Sequence, residues 1–206
     1  MRQERGAVST LHGVKPQTLE CADKAFAARG FAGLTMGMLA DACGLSRRAL
    51  YHHFSNKQEV FRAALRWRNV RDSTTGHAAG HQALERGEDA ATVITAFLDA
   101  RFGETRRDVG SSAYGRELND AAFALGGDIM IEVSVETNRT LAELVEALVE
   151  RGALRLRDGV SAEKVGRLLG DGARGVNQAR PPIPNHLFAQ HYREITEAIL
   201  FGCASD

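Results

Sequence analysis

The sequence predicts an all-α protein in two parts. An N-terminal three-helix domain carries a helix-turn-helix, and a larger helical C-terminal part follows it. Three observations lead there. Apolar residues recur at spacings of three and four through most of the 206 residues, as in Leu141, Leu144, Val145 and Leu148. No run of β-branched residues alternates with period two between turn signals, so no strand is expected. Between residues 35 and 57, two short amphipathic stretches, each preceded by a hydroxyl residue, flank Gly44.

The elements follow in order. Residues 1–15 read as a polar, mobile arm, in which Arg2 and Arg5 are either minor-groove donors or scattered charge on a free end. Pro16 suits the first turn of a helix that runs to Arg29 and stops at Gly30, with Leu19, Ala22 and Phe26 on one face. Thr35 caps a short helix with Leu39 and Ala40 inside. Gly44 supplies a left-handed turn residue, and Ser46 caps a second short helix with Leu50 and Phe54 inside. Ser55 with Gln58, and Asn56 with Glu59, both offer capping boxes for a fourth helix through Val60, Phe61, Ala64, Leu65 and Trp67.

A Gly-, His- and Ala-rich zone at 73–88 weakens the pattern before it returns at 90–102 with Val93, Ile94, Phe97, Leu98 and Phe102. A less regular piece covers 112–125, and a long helix is expected from about Asp128 to Arg151, ended by Gly152. Ser161 caps a helix through Val165, Leu168, Leu169, Ala173 and Val176. Pro181, Pro182 and Pro184 break the chain, and Asn185 is expected to cap the last helix. The resulting division is an arm at 1–15, a helix-turn-helix domain at 16–62 and a helical effector-binding and dimerisation domain at 63–206.

The second short helix carries the chemistry. Its apolar residues point inward, which leaves Arg47, Arg48, Tyr51, His52 and His53 outside. Arg47 and Arg48 lie in its first turn, the end of a recognition helix that meets base edges in the major groove. Arginine pairs bidentately with guanine O6 and N7. Tyr51, His53 and Lys57 are donors suited to phosphate, which fixes register without reading sequence. Thr35, Ser46, Arg47, Arg48, Tyr51, His52, His53 and Lys57 are therefore the candidate DNA contacts.

The same stretch resembles the N-terminal domain of tetracycline-repressor-like (TetR family) regulators. The residues that carry the resemblance are Gly30, Phe31, Thr35, Leu39-Ala40, Ala42, Gly44-Leu45-Ser46, Leu50-Tyr51, His53-Phe54 and Asn56-Lys57, within about residues 17–67. The resemblance implies a homodimer, an all-helical fold, dimerisation through a four-helix bundle of the last two helices, and a C-terminal domain whose small-molecule effector alters DNA affinity. Two departures stand out. Relatives often carry a polar residue where this chain has Met36 and Gly37, and a small residue where it has Arg47. Base reading is thereby shifted toward the second helix of the motif.

Charge supports a basic head on an acidic body. Net charge is zero, yet residues 1–57 hold eight Lys or Arg against four acids, and residues 58–206 hold eighteen against twenty-two. Such a split orients a molecule toward phosphate by one end. Cys21, Cys43 and Cys203 show neither metal spacing nor a disulfide framework. No apolar run approaches the ~20 residues of a membrane span, and no export signal opens the chain. The expectation is a cytoplasmic protein with no cofactor, no metal and no membrane partner.

Several motifs lead nowhere. Gly170-Asp171-Gly172-Ala173-Arg174-Gly175 matches the dinucleotide fingerprint by letters, but it closes a helical run instead of following a strand. His77 and His81, and His186 and His191, have no third metal ligand beside them. No nucleophile, base and orienting group come together, so no catalytic residue is proposed and the chain is not expected to be an enzyme.

The last two helices offer the candidate dimer interface: Val165, Gly166, Leu169, Gly170, Ala173, Phe188, Tyr192, Ile195 and Ile199. Candidate effector-site residues are Phe97, Phe102, Tyr114, Phe123, Met130 and Leu144, with Asn138 and Asn177 as polar fixers, a lining suited to a lipophilic or aromatic molecule. The expected function is that of a homodimeric repressor bound to a near-palindromic duplex operator and released by a small molecule. The alternatives are an activator of the same fold, a regulator answering a protein partner or thiol oxidation, and, more remotely, a helical enzyme or carrier.

Overall fold

The computed structural model describes residues 13–103, 105–107 and 112–203. The helices are α1 (Pro16–Arg29), α2 (Met36–Ala42), α3 (Arg47–His53), α4 (Lys57–Glu85), α5 (Ala90–Leu98), α6 (Gly115–Glu150), α7 (Ala162–Asn177) and α8 (Phe188–Cys203). A π-helical turn, Asp99–Gly103, continues α5, and a 3-10 turn, Asn185–Leu187, precedes α8. Among the described residues there is no strand, and no helix is long and apolar enough to cross a membrane. The all-α expectation holds. The expected mobility of the arm and its Arg2 and Arg5 lie outside the described residues.

Two compact units divide the chain, one from residues 1–71 and 108–131, the other from 72–107 and 132–206. In the first, Leu19, Ala22 and Phe26 of α1 are buried as their spacing predicts. Gly30, at φ 71°, ends α1 with its N–H on the Phe26 carbonyl. Phe26 meets Phe61 of α4 edge-on at 5.0 Å, and Phe31 meets Phe61 at 5.3 Å. Such pairs add ~1 kcal/mol each beyond their buried area. Asn56 caps α4 by accepting from Glu59 N–H at 3.0 Å, while Glu59 reaches back to Ser55 N–H at 2.8 Å.

The first unit also takes in the start of α6. Ser112 donates to the Ala27 carbonyl at 2.7 Å, and Ala32 N–H donates to Glu117 at 2.6 Å. Arg62 of α4 holds Asp128 through two hydrogen bonds, at 2.7 and 2.6 Å. A break in helical geometry at Gly126 (φ −131°, ψ 26°) seats Leu65 where a side chain would otherwise project. The long helix thus begins at Gly115 and not near Asp128, because contacts to α1 and α4 order a stretch whose own periodicity is weak.

The second unit is built on Val93, Ile94, Phe97 and Leu98 of α5, Leu141, Leu144, Val145 and Leu148 of α6, Val165, Leu169 and Ala173 of α7, and Phe188, Tyr192 and Leu200 of α8. Here α4 corrects the expectation of a weak zone at 73–88, since its helix runs unbroken to Glu85. Gly76 faces Arg101 and the Phe97 carbonyl, and Gly80 faces Leu144 and Phe97. The small residues that weaken the pattern are the ones that admit close neighbours, and packing overrides propensity. Asn185 is corrected too: it opens the 3-10 turn and donates to the Arg107 carbonyl at 3.1 Å, with no capping bond to α8.

Candidate nucleic-acid interface

The helix-turn-helix assembles as its residues dictate. Thr35 Oγ1 accepts from Met38 N–H at 3.2 Å, and Ser46 Oγ accepts from Ala49 N–H at 3.1 Å. Each cap is worth ~1 kcal/mol and fixes where its helix starts. Gly44 takes φ 64°, a conformation that costs glycine little, and lets Leu45 N–H bond back to the Ala40 carbonyl at 2.9 Å. Leu39, Ala40 and Leu50 are wholly buried and Phe54 nearly so. Burying a side chain the size of Leu50 contributes ~2 kcal/mol.

That packing turns one face of α3 outward. Ser46, Arg48, Tyr51, His52 and His53 line a shallow concavity of about 560 Å³ together with Ala49. Tyr51 is 54% exposed. The rings of His52 and His53 stand 5.2 Å apart at a steep angle. Arg47 and Arg48 are exposed and engage no acceptor among the described residues. Five of the eight candidate DNA contacts thus share one surface.

The other three sit apart. Thr35 is the cap of α2. Arg47 lies over Gly37 of α2. Lys57 is turned inward: its ammonium donates to the carbonyls of Phe31 and Leu34, at 2.7 and 2.8 Å, and sits 4.4 Å from the centre of the Phe31 ring. It ties the α1–α2 turn to α4, with two of its three N–H groups engaged.

The remaining candidates divide between the units. Of the effector-site set, Tyr114, Phe123 and Met130 belong to the first unit, and Tyr114 and Phe123 are exposed there. Phe97 and Leu144 are buried in the core of the second unit, with Phe102 packed against it. Asn138 stands against Gly170, and Asn177 accepts from the Tyr192 hydroxyl at 2.5 Å. Burial pushes the Tyr192 phenol well up from its ordinary value.

The dimer set is redistributed as well. Val165, Gly166, Leu169, Gly170, Ala173, Phe188 and Tyr192 are buried within the chain. The small-residue side of α7 faces α6 of the same chain, with Gly166 against the backbone of Asn138 and Ala142. Ile195 and Ile199 remain partly exposed and flank Gly172. Sequence reasoning missed the exposed Phe201, Ile131 and Val135, since small and large apolar residues at helical spacing fit an internal crossing as well as an external one. Among the described residues no cluster of three or more His, Cys, Asp or Glu is placed to hold a metal ion.

The profile described as "Bacterial regulatory proteins, tetR family" matches residues 19–64. The transcriptional repressor AcnR of Corynebacterium efficiens is 35% identical over 85 residues, 39% of this chain and 45% of that protein. The transcriptional activator FasR of Mycolicibacterium smegmatis is 34% identical over 92 residues, 45% of this chain and 40% of that protein. The matched segments therefore span less than half the length of either regulator. In fold, a TetR transcription regulator from Haloarcula marismortui superposes with a TM-score of 0.70 at 16% identity, covering 92% of this chain and 97% of that one.

Proposed function

We propose, from the match of residues 19–64 to the profile of the tetR family of bacterial regulatory proteins, that this chain is a DNA-binding transcriptional regulator of that family and not an enzyme. It acts as a homodimeric repressor on a near-palindromic operator and leaves it when a small molecule binds the second unit. One observation carries the reading. A capped seven-residue helix presents Arg47, Arg48, Tyr51 and His52 outward, and its two guanidinium groups have no acceptor among the described residues. Arg48 reads base edges from the concave face, and Tyr51 and His53 hold phosphate.

The functional division follows the sequence: an arm at 1–15, the DNA-binding domain at 16–62 and the effector and dimer domain at 63–206. Two copies meet through the outward sides of α7 and α8, where Ile195, Ile199 and Phe201 remain available. Dimerisation sets two recognition helices about 34–36 Å apart, or a multiple of it, to match half-sites on one face of the duplex. The effector site lies in the second unit near Phe97, Phe102, Asn138, Leu144 and Asn177. The Thr137 and Thr196 hydroxyls and the Asn138 side-chain oxygen are buried there with no hydrogen-bond partner among the described residues. An apolar molecule with one or two polar groups suits such a lining, and it shifts the dimer only by its differential affinity for the released state.

Thiol oxidation is disfavoured at Cys43. Its thiol donates to the Thr18 carbonyl at 3.5 Å, and burial pushes it up to about 11, the reverse of a reactive thiolate.

Selecting bound fragments from random genomic DNA tests the proposal. A near-palindrome bound by two copies is expected. Arg48→Ala should relax selectivity at one base position per half-site, by a factor of about 5–150, the equivalent of roughly 1–3 kcal/mol. Wild-type binding by both Arg47→Ala and Arg48→Ala would overturn the reading.

A further inference from the structure

Two adjacent arginines open the recognition helix, and they go different ways. Arg48 lines the concavity over α3, and Arg47 does not. A side-chain carbon at Gly37 would stand 2.6 Å from Arg47 Nη2, 2.7 Å from Nε and 2.9 Å from Cζ. The guanidinium therefore occupies the space a side chain at position 37 would fill. Gly37 is buried in the first turn of α2, while Arg47 is exposed and has no acceptor among the described residues. Its planar donors stay free on the side away from Gly37.

In a helix-turn-helix the first helix crosses the DNA backbone and the second enters the groove. A guanidinium laid over the first helix is thus aimed at phosphate, which its fork of N–H groups fits bidentately. Neither Met36 nor Gly37 offers a side-chain donor. We propose that Gly37 is a positioning residue that seats Arg47 over α2 as a phosphate clamp, so that Arg48 alone of the pair reads bases. The proposal rests on the DNA-binding reading above and deepens it: specificity comes from one arginine per protomer and not two.

Gly37→Ala is a gentle probe. The added methyl meets the far end of a flexible side chain, so Arg47 can move aside without disturbing the backbone, and alanine favours the helix. Affinity would be measured against salt for two duplexes, the fragment selected above and a scrambled one of equal length. Arg47→Ala should weaken both duplexes by the same factor and reduce the salt slope by about 1 per protomer. Gly37→Ala should weaken both by about threefold or more in the wild-type background and have no further effect beside Arg47→Ala, the mark of coupling.

Equal effects of Gly37→Ala in both backgrounds would overturn the positioning role. A change in selectivity on Arg47→Ala with an unchanged salt slope would make Arg47 a base reader and overturn the clamp. If Gly37→Ala lowers the melting temperature, Arg47→Lys carries the test from the exposed side: the salt slope should persist while affinity falls, and full affinity would overturn a bidentate seat. Loss of any effect from Arg48→Ala as well would instead remove the DNA-binding reading beneath the proposal.

Discussion

The helices of the second unit and the recognition helix α3 of the first treat their arginines differently. On the second unit's helices, arginines are matched to acids one turn away: Arg139 with Glu136 and Glu143, Arg167 and Arg174 with Asp171, Arg193 with Glu197. Such pairs cover solvated faces and stabilise a helix by a few tenths of a kcal/mol each. On α3 the two arginines have no acid one turn away, and none reaches them from elsewhere among the described residues. Net charge alone hides this contrast. A chain with zero net charge still keeps a surface for phosphate, because acids one turn away pair with arginines on the second unit's helices and none pairs with Arg47 or Arg48 among the described residues.

The first prediction, a large destabilisation, tests whether the units are independent. Leu50→Ala empties a fully buried site between α2 and α3 and should destabilise the first unit by about 2–5 kcal/mol. The single tryptophan, Trp67, lies in the first unit, so denaturation followed by its fluorescence reports that unit. Far-UV circular dichroism reports both. Leu50→Ala should lower the fluorescence midpoint and leave a later circular-dichroism transition. One coincident shift in both signals would show a single cooperative block and break the comparison.

A pair of glycines sharpens it. Gly166 of α7 meets rigid backbone, with Ala142 N at 2.6 Å and the Asn138 carbonyl oxygen at 2.7 Å from an added carbon, whereas Gly37 meets only the tip of Arg47. Gly166→Ala should therefore destabilise by about 1–3 kcal/mol despite a better helix former. Gly37→Ala should leave stability unchanged or raise it by up to about 1 kcal/mol. Equal melting temperatures for the two variants would show that the α6–α7 crossing yields as easily as a surface arginine.

These positions also mark how far the sequence could be read. Thr35, Gly44, Ser46, Leu50 and Phe54 were legible because local capping, turn and burial rules act within a few residues of one another. Gly166 and Gly170 were legible as a close crossing but not as to which helix crosses, since a small residue records the approach and not the partner. Lys57 was unreadable as an internal tie: its acceptors lie 26 and 23 residues upstream. The extent of α4 was hidden for a similar reason, because Gly76 and Gly80 look like helix breakers until α5 and α6 are packed beside them.

A smaller effect is expected at Tyr192, whose ring fills the second unit's core while its hydroxyl donates to Asn177. Tyr192→Phe keeps the ring and leaves the Asn177 acceptor unmet, at a cost of about 1 kcal/mol. Phe188→Ala, which removes a ring stacked at 6.1 Å on Tyr192, should cost about 3–5 kcal/mol in the same far-UV melt. A tyrosine variant as unstable as the phenylalanine one would mean that the hydroxyl, and not ring packing, organises that end of the core.

The smallest effect depends on pH. Asp128 and Arg62 make the first unit's doubly bonded ion pair with both side chains well exposed, at 54% and 36%. The Arg62 hydrogen bonds hold the Asp128 carboxyl down to about 2 from its usual 3.8. A depressed carboxyl stabilises the fold fully above its unfolded value and loses that contribution as pH falls through the folded one. Wild type should melt slightly higher than Asp128→Asn from neutral pH down to about 4, and the gap should close between about 4 and 2. Because the pair is exposed, added salt should narrow the gap at neutral pH. A gap that persists at pH 2 in high salt would assign the stabilisation to neutral contacts of residue 128 and remove the ion pair as the clasp between α4 and α6 in the first unit.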